Sequence, residues 1–260
     1  MRRFRLPAPR GWIWPLLLLL TFGIVWELWV RLADTPRWLL PPPSAIATSF
    51  REDWRSLIHH TRITLGEVLL GFGLALVAGI VTGVAIDASA ILRRALYPLI
   101  IASQTIPMVA LAPLMLIWFG YGLLPKVLIT ALIGFFPIAV NTVDGLKAAD
   151  REMLALLRSM GAGEYQRFRM VRLPAALPLV FSGARVAITF CVIGAIFGEL
   201  AGSSAGLGYL MERSAAQFQT ARVFACMVML SAMGIGLFSL VAGVERLSLP
   251  WRRFVVEGDA

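Results

Sequence analysis

Charged residues lie inside long apolar stretches of this sequence, and they are the first candidates for functional residues. The four are Glu27, Glu67, Arg185 and Glu199. Within a bilayer each such charge costs about 2.5–3.5 kcal/mol on insertion scales, so these side chains usually face a helix bundle or water. For Arg185, snorkelling or an ion pair near the inner boundary is favoured over contact with a solute. For Glu199 a functional role and a hydrogen-bonded structural role both stay open.

Three uncharged polar residues, Gln104, Thr105 and Asn141, are further candidates to line a path through a bundle. Three prolines between positions 98 and 113 interrupt backbone hydrogen bonding near Gln104 and Thr105. Carbonyl groups freed at membrane depth must be satisfied by protein or by a water-lined path. Together with Glu199 these residues are the predicted lining of such a path, although hydrogen bonding between helices is the commoner use of such side chains.

Residue patterns typical of enzymes and metal sites are missing from the sequence. The apolar stretches contain no Ser/His pair, no paired Asp and no His-x-x-x-His. His59 and His60 are adjacent, so on a helix they point about 100° apart. No Gly-x-x-x-x-Gly-Lys-[Ser/Thr] loop is present, so an ATP-driven process would need ATP and magnesium bound by a partner. We therefore predict no enzyme activity, no metal site and no cofactor in this chain.

The composition excludes an ordinary soluble protein. Of 260 residues, 58% are hydrophobic and 15% charged, whereas soluble domains are about 45–50% apolar and 25% charged. Disorder is excluded as well, because it requires low hydrophobicity. A net charge of +9 would suggest nucleic acid in a soluble chain. Here it indicates basic loops beside an anionic membrane face, and we expect a lipid environment and no nucleic-acid partner.

Six stretches are long and apolar enough to cross a bilayer of about 30 Å as helices. The first lacks a small-x-small cleavage site, so it is expected to be retained rather than removed as a signal peptide. The predicted fold class is an all-α, polytopic membrane protein with an N-terminal segment over 1–11 and a single transmembrane domain over 12–260. The predicted spans are 12–32, 62–86, 97–119, 122–143, 178–200 and 223–243.

The distribution of basic residues predicts the orientation. With the N-terminus inside, 15 Lys and Arg lie on the inner side and 8 on the outer side. Basic residues accumulate on the cytoplasmic side of membrane proteins, so both termini are predicted to be cytoplasmic. The same orientation places the polar loop 144–177 in the cytoplasm.

Glycines recur every four residues within two apolar stretches. Gly194, Gly198, Gly202 and Gly206 form one series, and the pair at 79 and 83 forms another. Small residues at this spacing allow helices to approach closely. Packing against a second copy and packing within one chain both remain open.

The loop 144–177 is predicted to contain two short helices. Asp150 can cap the first, whose apolar positions include Met153, Leu157 and Met160, and Gly161 ends it. The second covers 164–172 and is expected to stop at Leu173-Pro174. Such a basic, partly apolar unit can dock a partner protein or lie on the lipid surface.

The spacing inside this loop resembles the cytoplasmic signature of bacterial ABC importer permeases. That signature is Glu-Ala-Ala, three residues, Gly, nine residues and Ile-x-Leu-Pro. Here Gly161 is followed by nine residues and then by Val171-Arg172-Leu173-Pro174. The Glu-Ala-Ala positions hold Ala155-Leu156-Leu157, so the acidic residue is missing, and Glu152 lies nearly one turn earlier.

Other segments are similar to the nitrate, sulfonate and taurine branch of these permeases, which also resembles permeases for the thiamine-precursor pyrimidine. The similarity covers roughly residues 40–225 in the right order. Its segments are 40–46, 106–107, 111–120, 135–138, 141–146, 183–185 and 205–210.

The resemblance implies a type I ABC importer permease in the bacterial inner membrane. Two permease subunits, expected to be identical, would bind two cytoplasmic ABC ATPases and receive a solute from an extracytoplasmic binding protein. The loop would act as a coupling helix inserted into the ATPase. The residues implied in ATPase coupling are Glu152, Leu157, Arg158, Gly161, Ala162, Arg167, Val171, Leu173 and Pro174. In this family the span that carries Glu199 forms the translocation path, so the resemblance implies gating or solute passage for Glu199 as the alternative to a structural role.

The substrate stays open between an oxyanion, such as nitrate, taurine or another sulfonate, and a thiamine-precursor pyrimidine. The predicted spans carry no ring of basic residues, which disfavours a dedicated anion site. An ATP-independent channel or secondary transporter is the alternative function, although the two halves show no convincing internal repeat of the kind common in secondary transporters.

Overall fold

A computed structural model describes residues 10–250 of the protein, and the regular secondary structure of this part is helical. No β-strand occurs among these residues. The helices are α1 Arg10–Leu32, α2 Pro43–Glu52, α3 Trp54–Ala88, α4 Ala90–Ser103, α5 Met108–Phe119, α6 Leu123–Lys147, α7 Arg151–Ser159, α8 Glu164–Arg167, α9 Leu173–Leu200, α10 Leu207–Ala216 and α11 Thr220–Ser248.

Within the described residues, five helical stretches are long and apolar enough to cross a membrane. They are Ile13–Leu32, Trp54–Ala88, Leu123–Lys147, Glu164–Leu200 and Thr220–Ser248. A sixth crossing exists if α4 and α5 are counted as one bent span. The predicted all-α, polytopic membrane fold is therefore confirmed.

The predicted third span, 97–119, is not a straight helix. Helix α4 ends at Ser103, α5 begins at Met108, and the two axes differ by 103°. Pro107 has no backbone N–H and disfavours helical geometry in the residue before it, which favours a break at this point. The break falls at Gln104 and Thr105, where the prolines indicated it.

The chain divides into two compact units, which we describe separately. Among the described residues, the first comprises 10–58 and 210–228, and the second 59–209 and 229–250. The single transmembrane domain over 12–260 stays a prediction. Of the N-terminal segment predicted over 1–11, residues 1–9 lie outside the described residues.

Ion pairs and hydrogen bonds hold the first unit together. Glu27 accepts hydrogen bonds from the Ser44 backbone N–H at 3.0 Å and from its hydroxyl at 2.8 Å, which connects α1 to α2. Arg222 binds Asp53 through two hydrogen bonds of 2.8 and 2.5 Å. The charge at Glu27 is thereby satisfied inside its own chain.

The core of the second unit forms where α3 and α9 pack on α6. Ala75, Ala131, Ile138 and Ala187 are buried together there. Four glycines of the two series, Gly79 and Gly83 on α3 and Gly194 and Gly198 on α9, face α6, and we call them the glycine strips. A Cβ atom at Gly79 would lie 2.7 Å from Ile138, and further clashes would arise between Gly83 and Thr142, Gly194 and Thr130, and Gly198 and Lys126. These glycines therefore serve packing within one chain.

The 148–172 segment joins α6 to α9, and its first helix, α7, has the predicted cap and the predicted end. Asp150 accepts a hydrogen bond of 2.8 Å from the Glu152 N–H and caps α7. Gly161 has φ +80°, a left-handed conformation that favours glycine at a helix end.

The prediction that Leu173-Pro174 stops the second helix is wrong. Residues 168–172 form a π-helical turn, which joins α8 to α9 without interruption. Its last hydrogen bond runs from the Leu173 N–H to the Phe168 carbonyl, five residues back. The wider turn shifts the hydrogen-bond register just before Pro174, a residue that cannot donate.

Candidate functional site

Helix α7 exposes a stripe of large apolar side chains. Met153, Leu156 and Met160 are 50, 59 and 73% exposed, and no residue of α7 is buried. Their spacing of three and four residues places them on one face. Tyr165 and Met170 extend the exposed apolar surface beyond Gly161. Contiguous apolar surface of this kind is typical of a binding site for another protein or for lipid.

The predicted coupling residues divide into surface and buried positions. Glu152, Arg158, Gly161 and Leu173 are exposed, whereas Leu157, Ala162, Arg167 and Pro174 are half-buried and Val171 is buried. The Ala162 N–H donates to the Leu157 carbonyl at 2.9 Å, which closes the end of α7. The side chain of Val171 packs inside its own subunit, so it is not placed to meet a partner.

A hollow of about 620 Å³ lies beside α7 and brings part of the predicted set together. Arg158 and Arg167 line it, along with Asp87 from α3 and Arg172 from the π-turn. Arg167 also pairs with Glu164 at 2.5 Å. Asp87 and Arg172 are not among the predicted site residues. Asp87 lies just beyond a predicted span, where charged residues are common and therefore do not indicate a functional site.

A second cavity, of about 300 Å³, opens beside the break between α4 and α5. Its lining includes Gln104, Met108, Phe136, Phe190 and Phe197, and we call it the cleft. None of the described residues that line it carries a charge. The cleft therefore offers aromatic rings, aliphatic side chains, an amide and a hydroxyl, a lining suited to an uncharged solute.

The structure does not bring the four predicted path residues together. Gln104 lines the cleft, but Thr105 donates a hydrogen bond to the Ala102 carbonyl at 2.7 Å. Asn141 donates to the Pro137 carbonyl at 2.8 Å, within its own helix. Glu199 lies in a separate buried network.

Both carboxylate oxygens of Glu199 accept hydrogen bonds from the chain itself. One accepts from the Thr64 hydroxyl at 2.6 Å and the other from the Gly208 N–H at 2.5 Å. Glu199 is 1% exposed. Gly206 has φ +119°, and a Cβ atom there would overlap the Glu199 carboxylate. The geometry matches the hydrogen-bonded structural role that the sequence analysis left open.

A buried ion pair completes this network. The Lys126 ammonium lies 2.6 Å from Glu67 and donates to the Ser203 hydroxyl at 2.7 Å. The Gly206 N–H donates to His60 Nδ1 at 2.9 Å. Hydrogen bonds thus connect the residues from 203 to 208 to α3, α6 and α9. Lys126 is buried among these groups.

Arg185 forms the expected ion pair. Its Nε lies 3.2 Å from Glu245 in α11, and its guanidinium stacks 5.8 Å from the centre of the Phe238 ring. This partner lies 60 residues away in the sequence, so only the fold reveals it.

The long apolar helices, the bent pair and the polar segment between α6 and α9 define a multi-pass membrane protein of the transporter class. The family model of the binding-protein-dependent transport system inner membrane component matches residues 75–249. The chain belongs to this family. It is a permease subunit of the ABC importer type and not itself an enzyme.

Three relatives illustrate the range of the family. The formylaminopyrimidine transport permease protein ThiX of Halalkalibacterium halodurans is 40% identical, over 92% of this chain and 96% of its own. The riboflavin transport system permease protein RibX of Chloroflexus aurantiacus is 38% identical, over 96% and 93%. The putative aliphatic sulfonates transport permease protein SsuC of Bacillus subtilis is 32% identical, over 93% and 88%.

Solved structures share the fold. An amino acid ABC transporter chain aligns over 78% of this chain and 97% of its own, with a TM-score of 0.61 and 17% identity. The MetNI methionine ABC transporter, in an inward-facing conformation, aligns over 72% and 97%, with a TM-score of 0.57 and 20% identity. These likenesses support the predicted type I permease fold.

Proposed function

We propose that this permease carries a planar, nitrogen-containing aromatic solute of the thiamine-precursor pyrimidine class into the cytoplasm. The observation that carries the proposal is the cleft, where Phe136, Phe190 and Phe197 supply ring faces and Gln104 supplies an amide donor and acceptor. An oxyanion would need cationic or strong hydrogen-bond donors, and the lining residues include no cation. Two of the similar permeases are named for aromatic heterocycles, at 40 and 38% identity.

The proposed driving force is ATP hydrolysed by a partner. The exposed stripe of Met153, Leu156 and Met160 is the surface on which a cytoplasmic ABC ATPase docks. ATP closes a pair of such ATPases, draws two 148–172 segments together and switches the permease pair from inward-facing to outward-facing. An extracytoplasmic binding protein supplies the solute and must favour the outward-facing state, because otherwise its docking would shift no population.

The proposed assembly contains two copies of this chain in the inner membrane, with both termini and the 148–172 segment in the cytoplasm. Helix α1 supports the membrane setting, since its apolar side chains from 16 to 20 are 48 to 70% exposed. Such a helix needs lipid or another membrane helix around it.

The substrate proposal is tested with the complete transporter in proteoliposomes. The partner binding protein is loaded with labelled formylaminopyrimidine or hydroxymethylpyrimidine, and ATP-dependent uptake is compared with that of taurine and nitrate. We expect pyrimidine uptake to exceed sulfonate and nitrate uptake by at least tenfold. Uptake of taurine or nitrate without pyrimidine uptake would overturn the proposed substrate class.

A variant of the cleft tests the same proposal on this chain. Phe190→Ala removes an aromatic ring worth about 0.5–1.5 kcal/mol, so pyrimidine uptake at low solute concentration should fall about 2- to 13-fold. Val186→Ala is the matched control, because Val186 has the same exposure one turn earlier on α9 and lies outside the cleft lining. Equal uptake by the two variants would show that the solute does not pass Phe190.

A further inference from the structure

A buried acidic residue, Asp87, binds the C-terminal end of the 148–172 segment. Asp87 lies in the last turn of α3 with its side chain 3% exposed. Its Oδ2 lies 2.9 Å from Arg172 Nη1, and its Oδ1 lies 3.5 Å from Arg93. Arg93 also donates to the Asp87 backbone carbonyl at 3.2 Å. The Asp87–Arg172 pair joins two helices that are 85 residues apart in the sequence.

Helix α6 packs against the first residues of α9, which directly follow this end of the segment. A Cβ atom at Gly145 would lie 2.9 Å from the Ala176 carbonyl oxygen and 3.0 Å from its Cα. The backbones of α6 and α9 therefore touch where α9 begins. Residues 172–176 are fixed by charge to α3 and by close packing to α6, whereas α7 and α8 have no buried residue.

The π-turn marks the boundary between the fixed and the exposed part. Arg172 is its last residue, and Val171 before it is buried. Turns with hydrogen bonds over five residues are rare and often mark functional positions in a helix. The helix stays continuous through this turn, so a displacement of α8 reaches α9 and Arg172 rather than ending in a loop.

We propose that Asp87 and Arg172 are positioning residues that pass the displacement of the 148–172 segment to α3 as well as to α9. This inference rests on the proposed docking of an ATPase on α7. A directional ion pair fixes one orientation between the two elements, which an apolar contact of the same size would not do. The hollow lined by Leu154 and Arg158 leaves room for α7 to move toward the end of α3.

The test uses the full complex of permease, ATPase and loaded binding protein in proteoliposomes. Three quantities are measured for each variant: recovery of the ATPase with the permease, ATP hydrolysis, and solute taken up per ATP. Asp87→Asn and Arg172→Gln should retain the ATPase but lose about tenfold in uptake per ATP. The exchange variant with Asp87→Arg and Arg172→Asp should recover at least half of the wild-type ratio.

Arg94→Gln is the matched control, since Arg94 is an exposed arginine next to Arg93. If the single variants do not fold, Asp87→Glu keeps the charge while changing its reach, and it should show an intermediate ratio. An unchanged ratio in the single variants, a loss that the exchange does not repair, or a loss of ATPase binding would each overturn the inference. Failure of the wild-type permease to bind any ATPase would instead overturn the proposed function.

Discussion

A permease carrying Leu156→Asp is expected to insert and fold but to be purified without its ATPase. Leu156 is 59% exposed at the centre of the α7 stripe, so its own subunit does not depend on it. A carboxylate there would be buried unpaired in an apolar interface, and central interface residues commonly account for 2 kcal/mol or more. We expect affinity for the ATPase to fall at least 30-fold, with uptake lost in proportion, measured by co-purification and proteoliposome transport.

Leu39→Asp is the control for this prediction. Leu39 has the same exposure, 60%, but lies in residues predicted to face the opposite side of the membrane. It should leave ATPase recovery unchanged. Normal ATPase recovery and uptake with Leu156→Asp would show that α7 is not the docking surface. That result would favour the alternative that this helix lies on lipid.

Lys126→Met is expected to cause the largest loss of stability among the charged residues of the spans. It leaves the Glu67 carboxylate, 1% exposed, without its cation, and breaking one side of a buried pair costs about 3–5 kcal/mol. The Ser203 hydroxyl also loses its donor. The melting temperature of the purified protein should fall by on the order of 10 °C, and the yield in membranes should fall with it.

Adding Glu67→Leu to Lys126→Met should restore most of this loss, because a buried ion pair replaced by apolar residues is often neutral. Arg62→Met, at an exposed arginine of the same helix as Glu67, should change the melting temperature little. A double variant no more stable than Lys126→Met alone would mean that the ion pair is not the cause of the loss.

The features that the sequence predicts well are local. The cap by Asp150 and the helix end at Gly161 depend on residues within a few positions, and both occur as expected. The break near Gln104 follows from a proline that cannot donate a hydrogen bond. The number of apolar stretches follows from length and composition alone.

The features that the sequence does not predict depend on which helices become neighbours. Lys126 and Glu67 stand near the ends of two apolar stretches, but their pairing requires α3 and α6 to lie side by side. The same holds for Asp87 with Arg172. The continuation of the helix past Pro174 depends on a π-turn, whose register no local pattern of residue types fixes.

The glycine strips on α3 and α9 have a consequence for the synthesis of the transporter. Because Gly79, Gly83, Gly194 and Gly198 all face α6, these close contacts between helices are made within one polypeptide. We therefore expect translation and insertion of a single copy to suffice to form them. If an ATPase docks on α7 as proposed, copies made in excess of it would be folded, and the cell would have to recognise them by the exposed apolar side chains of α7 rather than by misfolding.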